Sequence, residues 1–419
     1  MKKIILLLLV IPVFSFSYQF KGSIYAESSY LKRNESSVFN PQNSLEIGDF
    51  QYLLKGNLIF KNDFSDKING HINLEAQYYP SFYTPVSPFY DSSNPSSAAQ
   101  TEKILIKEMY LDILTSAMII RVGKQFVKWG KAAFFNPSDV INLRKDPLRP
   151  NNEAEGNPFL YFNFPFRSSF SFEILSFINE KENSGKTRIK NLPLIPKFSF
   201  SLESLSLSCF GVFQNNKKPL FALNTDYALS LSENTNLTFY GEGIYKLRSY
   251  RTRFDDSFNP VPLGDKGRLS FTLGQRSSVS FNESKWIDTL TFTAEYFFSN
   301  ENWTRQDYQN YLGFLASQTV YSDKLAAGAY FEQYRNSRHY LYTSLYFSNF
   351  IFTDFTFGND FVFNLEDKSF LFQPSVVFSF AEGEAEAGIK ALFYSGKKDS
   401  EFGSLLGDTN LILFTQLYF

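Results

Sequence analysis

The chain is short of what most functional classes rely on. It has one cysteine, Cys209, so no internal disulfide can form, and its Ser-Leu-Ser-Cys-Phe setting reads as a strand. It has two histidines, His71 and His339, which leaves His- and Cys-based metal centres without ligands. No Gly-rich phosphate loop and no Gly-x-Ser-x-Gly elbow is present. Ser337, Ser344 and Asp354 lie near His339 in sequence, but Ser344 has the opposite strand parity. The reading is therefore no enzyme, no cofactor and no metal. With 41 basic and 42 acidic residues the net charge is −1, too balanced to attract nucleic acid. A run of about 20 apolar residues, the length a membrane helix needs, is also missing.

The one apolar run falls in residues 1–17. Lys2 and Lys3 precede an apolar stretch over 4–13, and Ser15-Phe16-Ser17 supplies a small-x-small cleavage site. This is the pattern of a Sec-type signal peptide cut after Ser17, with residues 18–419 as the mature chain.

What is abundant is aromatic. Phe (49) and Tyr (25) dominate an 18% aromatic content, while methionine numbers three and the mean hydropathy is only −0.22. An apolar surface hidden by alternation reconciles these values. Tyr52, Leu54, Gly56, Leu58 and Phe60 alternate with Gln51, Lys55, Asn57 and Lys61. Gly70, Ile72, Leu74, Ala76 and Tyr78 oppose His71, Asn73, Glu75 and Gln77, a polar face that a soluble core would not bury. The pattern returns at Leu290–Tyr296 around Glu295, at Leu325–Phe331 before Glu332, and at Ala385–Phe393 around Lys390. Slipping any of these by one residue would put charge into lipid.

Connections come in two sizes. Short ones are expected at 232–234, 335–337 and 366–367, long ones at 31–47, 80–101, 130–165, 247–266 and 299–319. The fold class is thus all-β, a transmembrane antiparallel barrel of about 16 strands, within a range of about 14–18. Ser168 to Phe213 is the stretch where the count is least defined, since 197–213 reads as either one long strand or a tight hairpin. Tyr30, Tyr78, Tyr394, Tyr418 and Phe419 are expected in interfacial girdles.

Leu411, Leu413, Thr415, Leu417 and Phe419 form one mostly apolar face ending on an aromatic. This resembles the C-terminal assembly signal of bacterial outer-membrane barrels, in which Leu411, Leu413, Leu417 and Phe419 would be read by the insertion machinery. Residues 109–146 hold the densest motif: a Tyr110-containing strand, Gly123-Lys124-Gln125, Trp129-Gly130, and Asn136-Pro137-Ser138-Asp139. It is similar to porin-like outer-membrane proteins and the broader set of porin and polysaccharide-export barrels. The family order places Asn-Pro-x-Asp after a short hydrophobic stretch, whereas here Asn136-Pro137 precedes Val140-Ile141-Asn142 and Asp146-Pro147 follows. The resemblance implies membrane location and fold, and little about substrate.

Two candidate sites follow. Lys131, Asp139, Arg144, Lys145, Asp146 and Arg149 would form a constriction if the 130–165 loop folds into the lumen, and an outer lid if it does not. Lys55, Glu75, Arg121, Glu242, Glu295, Glu332 and Lys390 would line the lumen with mixed charge. The expected function is passive diffusion of small hydrophilic solutes through the outer membrane of a diderm bacterium. A non-conducting surface barrel acting as adhesin or antigen, and a polysaccharide-export conduit, stand as alternatives. Expected partners are outer-membrane lipid, the insertion machinery and the solute, with no nucleic acid; oligomeric state, including a homotrimer, is left open.

Overall fold

Alternation becomes a ring of strands. The computed structural model describes residues 18–39, 48–78, 102–127, 129–141, 156–166, 169–177, 192–281, 284, 286–318, 331, 336–351, 354–405 and 407–419. The strands are β1 (Tyr18–Arg33), β2 (Phe50–Ser65), β3 (Ile68–Tyr78), β4 (Glu102–Leu114), β5 (Ile119–Gln125), β6 (Asn157–Pro165) and β7 (Phe170–Phe177). They continue as β8 (Leu194–Leu202), β9 (Leu205–Val212), β10 (Leu220–Ser232), β11 (Thr235–Lys246), β12 (Ser249–Phe254), β13 (Pro260–Gly264) and β14 (Arg268–Ser280). The last are β15 (Thr289–Ser299), β16 (His339–Ser348), β17 (Phe355–Asn364), β18 (Phe370–Phe380), β19 (Ala385–Ser395) and β20 (Gly407–Tyr418).

All except β12 and β13 join one 18-stranded antiparallel sheet, and β20 pairs with β1 to close it. Closure leaves no unpaired edge, which a strand assembly in lipid requires. The count sits at the top of the expected range. Two features supply the extra strands. Residues 197–213 are a tight hairpin, with Leu202 and Leu205 flanking the turn. Residues 157–165, expected within a loop, form β6, paired to both β5 and β7.

Each strand has an outer and an inner face. Exposed outer side chains include Tyr52, Leu54, Ile72, Tyr78, Leu223, Ile389 and the set Leu411, Leu413, Leu417 and Phe419. Outward rings form two rows. Phe20–Phe60–Phe419, Phe172–Phe198 and Phe347–Phe357 lie toward the short-turn end, and Tyr30–Phe50 and Phe372–Phe393 toward the other. Such rows are the girdles of a membrane barrel. Tyr418 and Tyr394 do not join them. Both have inward parity, Tyr418 donating to Glu386 and Tyr394 packing against a lumen cluster. No helix among the described residues is long and apolar enough to cross a membrane.

The turns at one end are short, among them 66–67, 115–118, 203–204 and 233–234. At the other end lie the connections after β1, β3, β5, β7, β11 and β15. The brief 365–369 turn also belongs to that second end, so short connections are not confined to one side. Two long connections carry structure of their own. Residues 247–267 hold the β12–β13 hairpin. Residues 300–338 hold helix α1 (Arg305–Ser317), begun by a Thr304/Asp307 capping box. The aromatic face of α1 packs with Leu31, Phe39, Phe254, Trp303 and Phe331 into a cap over one side of the mouth. Phe331 thus sits in the cap rather than in the expected 325–331 strand, whose other residues, with Glu332, lie outside the described ones. Asn336 and Ser337, expected in a short turn, are buried beneath residues 396–405.

Candidate functional site

The segment between β5 and β6 is drawn into the barrel by its own backbone. Gly130 begins the turn inward, with φ +99 and no room for a Cβ, which would fall 2.5 Å from Glu242 Oε2. Asn136 then ties the turn together. Its Nδ2 donates to the Trp129 carbonyl (2.9 Å), and its Oδ1 accepts from the Asp139 N–H and the Ser138 hydroxyl, both at 3.0 Å. The Asn-Pro-Ser-Asp sequence is therefore an Asx-type turn that closes back on the start of the segment.

From there the wall takes over. Trp129 lies against Phe210 of β9, with Lys197 of β8 over its indole at 4.9 Å. Together with Ile141 it fills a cluster with inward residues of β6 to β11: Phe159, Leu175, Ile195, Phe210, Ala222 and Ile244. Lys131 reaches Asp226 on β10 at 2.7 Å. Glu242 on β11 accepts the N–H groups of Lys131 (2.8 Å) and Ala132 (3.3 Å). Glu295 on β15 accepts those of Ala133, Phe134 (3.1 Å) and Phe135 (3.0 Å), and also the Tyr240 hydroxyl (2.7 Å). The Thr272 hydroxyl donates to the Phe135 carbonyl at 2.7 Å. At the tip, Phe134 stacks on Tyr342 and Phe135 on Phe297. Half the ring of 18 strands separates β5 from β16, so the segment lines one side of the lumen.

The opposite arc, β2 to β5, is polar and ion-paired. A bulge at Lys107 lets it and Glu108 both face inward. Lys107 bonds Glu75 at 3.0 Å, with each side chain only 5% exposed. Glu108 accepts the Phe126 N–H and lies 3.4 Å from His71. His71 stacks on Tyr110, and Arg121 packs on the same ring while gripping Asp112 with two nitrogens. Lys55 and Gln51 are buried in the neighbouring wall. One side of the lumen is thus packed mainly with apolar side chains, and the other is lined by charged and polar ones.

Of the expected lumen residues, Lys55, Glu75, Arg121, Glu242, Glu295 and Lys390 all have inward parity, and Glu332 lies outside the described residues. Glu242 and Glu295 are not open lumen charges, because the inward segment takes them up. Of the expected constriction residues, Lys131 and Asp139 lie in the segment, while Arg144, Lys145, Asp146 and Arg149 lie outside the described residues. His339 bonds Tyr296 and approaches Glu366, away from Ser344. Sequence reasoning missed Tyr240, Thr272, Tyr340 and Glu401. Their signal was faint: Tyr240, Thr272 and Tyr340 are polar residues at a parity shared with many others, and Glu401 lies in a connection between strands.

Outside the strands, Glu401 is fully buried between Asn336, Asn364, Ser337 and the Tyr340 hydroxyl. Burial, and then the nearby Asp367 charge, push its carboxyl up to about 7. Phe402 beside it joins the cluster that holds Phe134 and Phe135.

A closed antiparallel barrel with a long connection folded against its inner wall is the architecture of outer-membrane porins. No family model matches the chain, and no curated protein matches it in sequence. Solved structures do match. Acinetobacter baumannii OccAB1 aligns with a TM-score of 0.57 at 10% identity, covering 96% of each chain. Pseudomonas aeruginosa OccK8 (OprE) aligns at 0.58 and 8%, covering 96% of this chain and 98% of that one. A BenF-like porin from Pseudomonas fluorescens Pf-5 aligns at 0.56 and 9%, covering 96% and 99%. The fold is shared over nearly the whole of each chain.

Proposed function

We propose that the protein is an outer-membrane channel for passive diffusion of small hydrophilic solutes, with the inward segment 129–141 as its constriction. The observation that carries this reading is the division of the lumen. The inward segment is fixed along β6 to β16, which leaves the polar arc of β2 to β5 as the path. A barrel of this strand number is wide enough to conduct once one side is filled. The fold shared with a porin and with the Occ proteins supports the same reading. Residues 1–17 fit export by a Sec-type signal, and the outer face of β20 fits recognition by the insertion machinery.

Purified protein in a planar bilayer tests this. The expected result is stepwise current proportional to salt. Deleting Ala132 to Asp139 should enlarge each step and change the reversal potential in a salt gradient. A folded barrel that never conducts would favour a surface-binding protein roofed by its α1 cap. Unchanged steps after the deletion would remove the constriction from the proposal.

A further inference from the structure

Five consecutive backbone N–H groups, from Lys131 to Ala132 and Ala133 to Phe135, all end on two wall carboxylates. Successive amides pointing to one side make a concavity suited to an anion. Here the anion is supplied by the wall itself. Gly130 confirms the fit from the other direction, since any side chain there would strike both Asn136 and Glu242 Oε2. The two carboxylates come from β11 and β15, so they fix the segment at two separate points of the circumference. The Ser138 hydroxyl, its one proton shared between Asn136 Oδ1 and Glu242 Oε2 (3.3 Å), brings the return limb to the same oxygen.

We infer that Glu242 and Glu295 are the positioning residues of the constriction, acting as built-in anions in a backbone nest, and that the vacated nest takes a small carboxylate from solution. The inference rests on the constriction reading for its functional meaning, but not for its chemistry. A neutral hydrophobic contact would hold the segment without charge; a nest needs a negative charge that accepts several N–H groups at once. Removing Glu295 therefore leaves donors at 133–135 that formate can satisfy with two charged acceptor oxygens, where neutral formamide offers a single uncharged one.

Amide hydrogen exchange of the whole protein in detergent, read by mass spectrometry over residues 126–141, tests this without reference to conductance. Glu295→Ala should raise exchange at 133–135 by roughly tenfold or more, the worth of one charge-assisted bond, with 131–132 less affected. Adding sodium formate should restore protection in Glu295→Ala. It should have no effect on the parent, nor on Glu295→Gln, whose side chain still occupies the space. Glu173→Ala, an inward carboxylate on another strand, controls for general effects of charge loss. If Glu295→Ala does not give a heat-modifiable barrel, Glu242→Ala carries the same test at 131–132. Unchanged exchange in the alanine variant, or raised exchange that formate leaves raised, overturns the inference. A parent that never conducts but passes the exchange test would defeat the channel reading and leave the nest standing.

Discussion

The ring of Phe135 lies over that of Phe297, with centroids 5.0 Å apart and 21° between planes, and so fastens the tip of the inward segment to β15. The Tyr340 ring flanks the same residue at 5.2 Å. Phe135 is 2% exposed, inside a cluster that also holds Phe134, Tyr342, Val362 and Leu371. Replacing a buried Phe by Ala typically costs about 3–5 kcal/mol. Here the cost falls mainly on the docked state of the segment, because the sheet hydrogen bonds are untouched. Phe135→Ala is expected to broaden single-channel current levels and to leave the heat-modifiability of the barrel nearly unchanged. Parent-like current levels would mean that the tip contributes nothing to the constriction.

Glu401 gives the outer mouth a dependence on pH. Its carboxyl is pushed up to about 7 from the ordinary glutamate value of 4.5, chiefly by burial and next by the Asp367 charge. A folded pKa above the unfolded one stabilises fully below the lower value and is lost as pH rises through the higher. Docking of residues 396–405 should therefore be tightest below about pH 4.5 and weaken through pH 7. A fluorophore on Lys397→Cys, in a Cys209→Ser background, should report a transition near neutrality. Glu401→Gln should abolish it, since a neutral amide in the same place does not titrate. Persistence of the transition in that variant would assign it to another group.

Much of the wall was legible because one face meets lipid and the other water. That difference fixes the register, as in β3, where His71, Asn73, Glu75 and Gln77 face inward as alternation requires. Strand β6 escaped notice for the converse reason. Its inward Phe159 and Tyr161 are as apolar as its outward Leu160 and Phe162, because the segment that docks on the inward face makes that face apolar too. The Lys107 bulge shifts parity mid-strand and hides the Glu75 partner. The placement of residues 129–135 was out of reach, since the partners of Glu242 and Glu295 are backbone N–H groups, which every residue except proline carries.

The Glu75–Lys107 pair makes a prediction about selectivity. Removing one partner of a buried ion pair typically costs about 3–5 kcal/mol, because the other charge is left behind without compensation. Lys107→Met should therefore lower barrel stability and shift the reversal potential toward cations, as Glu75 regains a solvent-facing charge. The double variant Lys107→Met/Glu75→Gln should recover most of the stability and the parent selectivity. If the single and double variants share one reversal potential, the pair does not face the conducting path.

The seam between β1 and β20 carries the last prediction. Gly22 and Phe419 exchange backbone hydrogen bonds at 2.6 and 3.0 Å, and the Phe419 ring lies where a Gly22 side chain would be, 2.4 Å from its Cβ. The ring continues to Phe20 and on to Phe60 across the closing strands. Gly22→Val would drive the ring out of this notch, while Phe419→Ala would empty it and keep every backbone bond. Both should slow closure of the barrel, seen as a smaller heat-modifiable fraction soon after refolding into detergent. The two defects differ in kind. Pairing Gly22→Val with Phe419→Ala should relieve the clash, so the double variant should close faster than Gly22→Val alone. A double variant as slow as the sum of the two single defects would show that the ring and the glycine act independently, and that the notch is not what closes the seam.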